Sequence, residues 1–245
     1  VRALKRLTAV EFKLFLRDPA AFFWTLIFPV ALVVIIGSIP SSRKYSPELG
    51  ARGIDYYTPV VLVMSFALLA LFITPGYLVG YREKGILRRL STTPVGPARV
   101  LIAQLVVQMT TAIVTTVLVL GTAGLLWGVK LPSNVGGFLL AFLLSVGTLL
   151  AIGLFLASVL STTKAATSMG SALFFPLMFF AGLYVPRELM PAAVATIGDV
   201  TPLGASVLAF NDAAASGSPS LTTLAVLAAY AVVFGVAAAR LFRWE

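Results

Sequence analysis

The chain contains no cysteine and no histidine. That excludes disulfide scaffolds, thiol nucleophiles, zinc sites built on His or Cys, and imidazole acid–base chemistry. Charge is scarce too. Only 11% of the 245 residues are Asp, Glu, Lys or Arg, against about 25% in soluble proteins. Apolar residues reach 59%, against roughly 45–50%. A soluble fold of this length could not clothe its surface with so few charges and would expose large apolar patches. Lipid must be the main solvent. Among the charges, acidic groups are the minority: 9 against 18 Lys and Arg, for a net charge of +9. At this hydropathy the excess fits an anionic membrane surface and not nucleic acid.

What the sequence has in abundance is long apolar runs. A spanning helix needs about 20 such residues. Five stretches qualify, near 21–39, 57–80, 100–129, 136–160 and 221–239, and 165–185 is a sixth. The segment 186–217 then carries Pro186, Pro191 and Pro202 with Asp199 and Asp212, and Pro219 lies just beyond. Prolines at that density forbid one continuous helix. Two short helices are expected near 187–197 and 203–215, forming an interfacial or re-entrant hairpin, with a seventh span as the competing reading. Pro29 and Pro75 are expected to kink the first two spans. Trp24, Trp127 and Trp244 fall near expected interfaces. The expected fold is an all-α polytopic membrane protein with six spans, one transmembrane domain over 1–245.

Orientation follows from Lys and Arg in the short loops. With six spans and both ends inside, only Arg43, Lys44, Arg52, Lys130 and Arg187 fall outside, and the rest of the 18 fall inside. Both termini are therefore expected in the cytoplasm, with 186–217 on the outer side. The first 19 residues read as a helix lying on the membrane. Leu4, Leu7, Val10, Leu14 and Phe15 share one arc at 100° per residue, and the basic residues share the other. Glu11 falls within the apolar arc and breaks the pattern. Asp18-Pro19 ends this helix. The polar lead-in is long and no A-x-A site follows, so the first span reads as retained and not as a signal peptide.

The most informative loop is 82–97, between spans two and three. Arg82 to Leu90 suits about two helical turns, and Pro94 and Pro97 end them. Ile86, Leu87 and Leu90 form an apolar stripe on a basic helix. Such a stripe suits docking in a partner's groove. Anionic lipid alone would also account for Arg88 and Arg89. Glu83 is the only acid in this loop. A partner-facing ion pair and a local pair with Lys84 or Arg88 are both open to it.

Arg82-Glu83-Lys84-Gly85, then Leu87 and Leu90, then Thr93-Pro94, resembles the signature of ABC-2 type transporter permeases. In that family a Glu-x-Gly motif starts a coupling helix after the second span. Gly182, Pro186, Pro191 and Pro202 resemble the Gly/Pro pattern after the family's fifth span, where short re-entrant helices lie on the outer face. The amphipathic start is similar to the family's elbow helix. The likeness covers nearly the whole chain and is closest to bacterial drug-exporter permeases of the daunorubicin-resistance type. It implies a bacterial plasma (inner) membrane protein that carries no ATP site, with ATP and Mg bound by a separate ABC-type ATPase subunit. Two permease subunits, identical or different, would pair with two ATPase subunits in membrane lipid. Arg82, Glu83, Lys84, Gly85, Leu87, Arg88, Arg89 and Leu90 would then form the ATPase-coupling interface. None of the lysines sits in a P-loop motif, in agreement.

Cargo contacts are expected among Phe174, Phe175 and Phe179, clustered with Phe180 about Pro176. Ordinary packing is the competing reading for them. Gln104 and Gln108 share a face of span three and suit interhelical hydrogen bonds or cargo. Intramembrane charges are nearly absent, which argues against an ion relay. The expected function is ATP-driven export of an amphiphilic or hydrophobic drug or lipid. A polysaccharide or glycolipid exporter is the alternative of like architecture. A stand-alone channel or secondary transporter lacks a buried carboxylate cluster here. An intramembrane enzyme lacks both G-x-S-x-G and paired carboxylates.

Overall fold

The computed structural model describes residues 2–91, 98–215 and 217–241. An elbow helix, Arg2–Arg17, leads to span one, Pro19–Ser38, and span two, Gly53–Glu83. A short loop helix, Ile86–Ser91, precedes span three, Ala98–Trp127, and span four, Val135–Val159. Span five is Thr163–Phe180. Two short helices, Ala192–Val200 and Pro202–Ala214, come before span six, Leu221–Leu241. A two-stranded hairpin, Tyr45–Ser46 against Ala51–Arg52, closes the loop between spans one and two. The protein is an all-α polytopic membrane protein.

Spans one, two, three, four and six are each long and apolar enough to cross a bilayer. Span five is not, because Thr163, Lys164, Ser168 and Ser171 dilute its first half. Its depth is shown by its ends. The Thr163 N–H meets Glu83, at one end of span two, while Gly182, just past span five, lies beside Tyr56 near the other. From Tyr56 to Glu83 span two rises about 40 Å, so span five and its end turn traverse the same layer. Its helix stops at Phe180, short of the expected 185, because Gly182 turns left-handed at φ 86°.

Span two is the axis of the bundle. It holds no charge between 57 and 80 and is apolar nearly all round, so most of it is buried. Val60, Val61, Val63, Ala67 and Leu71 are fully enclosed, with Phe142 and Leu149 of span four and Met178 of span five in the same core. Spans one and six leave most of their surface uncovered by the rest of the chain.

Each expected kink is a π-helical turn. Phe23–Ile27 precedes Phe28-Pro29, and Leu69–Ile73 precedes Thr74-Pro75, at the same offset. Proline has no N–H to give four residues back. Thr25 O, which Pro29 leaves bare, accepts the Thr115 hydroxyl of span three at 2.8 Å. In span two the Thr74 N–H turns to Leu69 O. Ala70 O thereby loses its usual donor, and Pro75 supplies none one residue on.

The first helix after span five begins at Ala192 and not near 187. Pro186 and Pro191 hold extended backbone at ψ 140° and 141°, and a 3-10 turn, Arg187–Leu189, fills the gap. The two short helices meet at 92°. The segment starts beside Tyr56, whose hydroxyl accepts the Arg187 N–H at 2.9 Å. It ends beside Asn134, just ahead of span four, whose amide donates to Gly217 O at 3.2 Å. Both points lie at the end of the bundle away from Glu83, so the segment enters and leaves on one face. Trp244 and Arg243 lie outside the described residues.

Candidate functional site

The end of the bundle that carries Arg82 and Glu83 gathers three features: the elbow, the loop helix and the junction of spans four and five. The elbow is attached by two tyrosines. Tyr81 donates to Glu11 Oε2 at 2.7 Å, and Tyr77 donates to Asp18 Oδ2 at 3.0 Å. These tyrosines stand at i and i+4, on one face of span two. Asp18 also accepts the N–H groups of Ala20 and Ala21 at 3.1 and 3.0 Å, capping span one. Glu11, the misfit in the apolar arc, is thus buried with a partner. The sequence shows the misfit. Tyr77 and Tyr81 pass unnoticed there because ring hydroxyls at a membrane boundary are common.

Burial pushes the Glu11 carboxyl above its ordinary value of 4.5, and the Tyr81 donor partly offsets this. With the folded value above the unfolded one, the folded chain holds a proton that the unfolded chain releases. This group's contribution is most favourable below 4.5 and is lost as pH rises through the raised value. Glu11→Gln keeps an acceptor for Tyr81. It should flatten that segment of the profile and raise the thermal midpoint at neutral pH. A melting series across pH in detergent checks this; an unchanged slope excludes Glu11 as its source.

The loop helix follows from Gly85. Lys84 donates its N–H to Gly80 O, and Gly85 donates to Arg82 O, so span two winds to a close there. Gly85 then adopts φ 66° and starts the new helix, with Arg89 N–H returning to Gly85 O at 3.1 Å. A left-handed residue suits glycine, which has no Cβ to clash. Glu83, Lys84, Arg88 and Arg89 are exposed. Leu87 is not: it is wholly buried within the chain, so its side chain anchors the helix. The side chain of Leu90, with Thr93, Pro94 and Pro97, lies outside the described residues. Glu83 reaches the start of span five. Its Oε1 accepts the Thr163 N–H at 3.1 Å. Arg82 donates to Ala157 O at 3.1 Å and to Leu160 O.

Deeper in the bundle, spans one, two and five enclose an apolar cavity of about 430 Å³. Trp24 and Phe28, Leu68 and Phe72, and Phe174 and Phe175 are among its walls. Both π-helical turns lie against it. Phe72 and Phe174 meet edge to face at 5.7 Å, and Phe174 and Phe175 at 5.6 Å. Phe179 is not in the wall; it packs on Phe180 at 5.5 Å. Gln104 and Gln108 are buried on span three, away from the cavity. The Thr74 hydroxyl lies 2.5 Å from the Gln108 side-chain oxygen and 2.9 Å from Leu69 O. Gln108 and Thr115 thus both serve broken turns of neighbouring spans.

Glycines complete the packing about span two. A side chain at Gly153 would meet Ala70 O, and one at Gly170 would meet Leu71 O at 2.6 Å. These contacts escape sequence reading because many glycines in apolar helices pack on nothing. A second cavity, of about 590 Å³, opens at the far end beside Arg52, Asp55 and Lys130. Arg52 grips Asp55 at 2.6 and 2.8 Å and donates to Trp127 O. Among the described residues no three acidic side chains converge as a metal site would require.

A family profile described as ABC-2 type transporter matches residues 2–213. No curated protein shows significant similarity to the chain. The profile covers the elbow, five spans, the loop helix and nearly all of the bent helix pair, which are the features assembled above. The chain therefore belongs to the ABC-2 type transporter family, as a membrane-embedded permease component without an ATP site of its own.

Proposed function

We propose that this permease exports an amphiphilic or hydrophobic cargo, drug or lipid-like, on energy from a separate ABC-type ATPase that binds ATP and Mg. Two permease chains and two ATPase chains form the working unit in the plasma membrane, with both permease termini in the cytoplasm. ATP closes the ATPase pair, and the loop helix Ile86–Ser91 carries that movement into the spans. The exposed basic groups Lys84, Arg88 and Arg89 are the surface offered to the ATPase.

The observation that carries the cargo reading is the cavity between spans one, two and five. Its walls are aromatic and aliphatic, which suits an apolar or flat amphiphilic molecule. A glycan would leave its hydroxyls unpaired there. Trp24 and Phe175 are 47% and 59% exposed, which suits lateral entry from lipid or cover by a second permease chain. The charged far-end cavity suits such cargo less, since Arg52 and Asp55 already satisfy each other.

The test is the chain purified with its ATPase and reconstituted in lipid. Hydrophobic drugs and lipids should stimulate ATP hydrolysis. Phe175→Ala should raise the half-stimulating concentration about tenfold, the loss expected of one aromatic contact worth roughly 1.5 kcal/mol. Stimulation by glycolipid alone, indifferent to Phe175, would overturn the reading.

A further inference from the structure

We propose that Arg82 and Glu83 are positioning residues that join the coupling helix to spans four and five, and are not contacts for the ATPase. The proposal rests on the reading of Ile86–Ser91 as the ATPase-facing helix.

The two residues are adjacent and opposite in charge, and they serve two adjacent helix ends of opposite polarity. Span four ends at Val159. Its last carbonyls have no partner within the helix, and a cation is favoured there by the helix dipole. Arg82 donates to Ala157 O and Leu160 O. Span five starts at Thr163. Its first N–H groups are equally unpaired, and an anion is favoured there. Glu83 accepts the Thr163 N–H, while Thr162 Oγ1 accepts Ala165 N–H at 3.1 Å. The start of span five is thus capped by its own threonine and by a carboxylate 80 residues upstream. Exchanging the two charges would set each against the wrong helix end.

The clamp rests on a packed base. Leu78 and Val79 of span two, Ala157 of span four and Ala166 of span five form one buried cluster, and Leu160 packs against it. Gly80 lies close enough to Thr163 that an added Cβ would touch its methyl at 3.5 Å. The cluster holds the three spans together, and the clamp fixes the linker between spans four and five onto span two.

Position supplies the mechanical argument. Gly85, with its left-handed backbone, is two residues beyond Glu83. It is the bend between the coupling helix and span two. Any displacement of that helix acts first on Arg82 and Glu83, and through them on the ends of spans four and five. Span five also carries Phe174 and Phe175 into the cavity wall. The joint therefore links the coupling helix to a second cavity wall besides span two.

The experiment uses the permease–ATPase complex in proteoliposomes, with ATPase stoichiometry, ATP hydrolysis and drug transport measured together. Glu83→Lys should leave the ATPase bound in normal amount while transport per ATP falls on the order of tenfold, as coupling free energies usually run. Glu83→Gln keeps a carbonyl acceptor and should restore most of the transport per ATP. Thr163→Pro attacks the same bond from the other side. It removes the donated N–H at a first helical position, where proline is tolerated, and Thr162 already has the extended backbone that proline requires of its neighbour. It should reproduce the coupling loss, and it serves as the test should Glu83→Lys fail to fold. Loss of the ATPase from the Glu83→Lys complex would overturn the proposal and make Glu83 a partner contact. Normal transport per ATP in Thr163→Pro would overturn it as well. Absence of any ATPase from the wild-type complex would be a different failure, that of the coupling reading itself.

Discussion

Gly182→Ala should unseat the segment between spans five and six, at a cost of roughly 2–4 kcal/mol, from a left-handed penalty plus a lost buried hydrogen bond. Gly182 holds φ 86°, where an L side chain is strained. An added Cβ would also fall on the Tyr56 hydroxyl. That hydroxyl cannot swing away freely. Tyr56 is buried, accepts the Arg187 N–H at 2.9 Å and lies 3.5 Å from Gly182 O. Arg187 in turn pairs with Asp199 of the first short helix. Displacing one hydroxyl therefore loosens the whole entry to the segment. Tyr56→Phe removes the hydroxyl and keeps the ring, and should cost about 1 kcal/mol. The two changes share one contact, so their effects should fall short of additive. Thermal midpoints of the two single variants and the double variant, with trypsin cleavage at Arg187 as a local probe, decide it. Strict additivity would mean that backbone strain alone sets the cost.

The Gly182 turn also shows what sequence could and could not supply. Gly and Pro spacing after span five announced a broken segment, because proline forbids a helix interior wherever it occurs. The partner on the other side of the turn, Tyr56, is 126 residues away and carries no local mark. Fold class was legible for a similar reason. A bilayer demands long apolar runs that satisfy their own backbone, and that demand is written residue by residue. Span five reads as a membrane segment, but apolarity continues to 185, past the helix end at Phe180. Pro29 and Pro75 announced kinks without showing that each would be a π-helical turn served by span three. At the site, the basic loop and Gly85 stood out by composition. The bonds of Arg82 and Glu83 to spans four and five and the burial of Leu87 did not, since a charged or apolar residue on a short helix reads the same whichever way the docked helix turns. Glu11 was visible as an error in an amphipathic pattern, and only docking on span two gives that error a reason.

Span four offers a sharper contrast, since one substitution at two positions on one helix should act with opposite sign. Gly153→Ala should destabilise the bundle, and Gly147→Ala should not. At Gly153 a Cβ would come within 3.0 Å of span two's backbone, against the carbonyl of Ala70. That carbonyl belongs to the π-helical turn ahead of Pro75 and cannot yield without moving span two, the axis of the core. Overpacking of this kind costs typically 1–3 kcal/mol, with the upper end expected where the obstacle is backbone. At Gly147 a Cβ would meet nothing within 4 Å. Alanine there gains helix propensity of about 1 kcal/mol in water-based scales, so the variant should match or exceed the wild type. Gly170→Ala, which meets Leu71 O from span five, should resemble Gly153→Ala and not Gly147→Ala. Melting of the three variants in the same detergent gives the comparison. If the close glycines do bear on the broken turn, their variants should also lose drug-stimulated ATP hydrolysis at temperatures where they remain folded, because the same turn forms part of the cavity wall. Destabilisation with full stimulation would make the glycines packing residues only, and equal melting of all three would mean that span two yields at Ala70 and Leu71 far more readily than its burial implies.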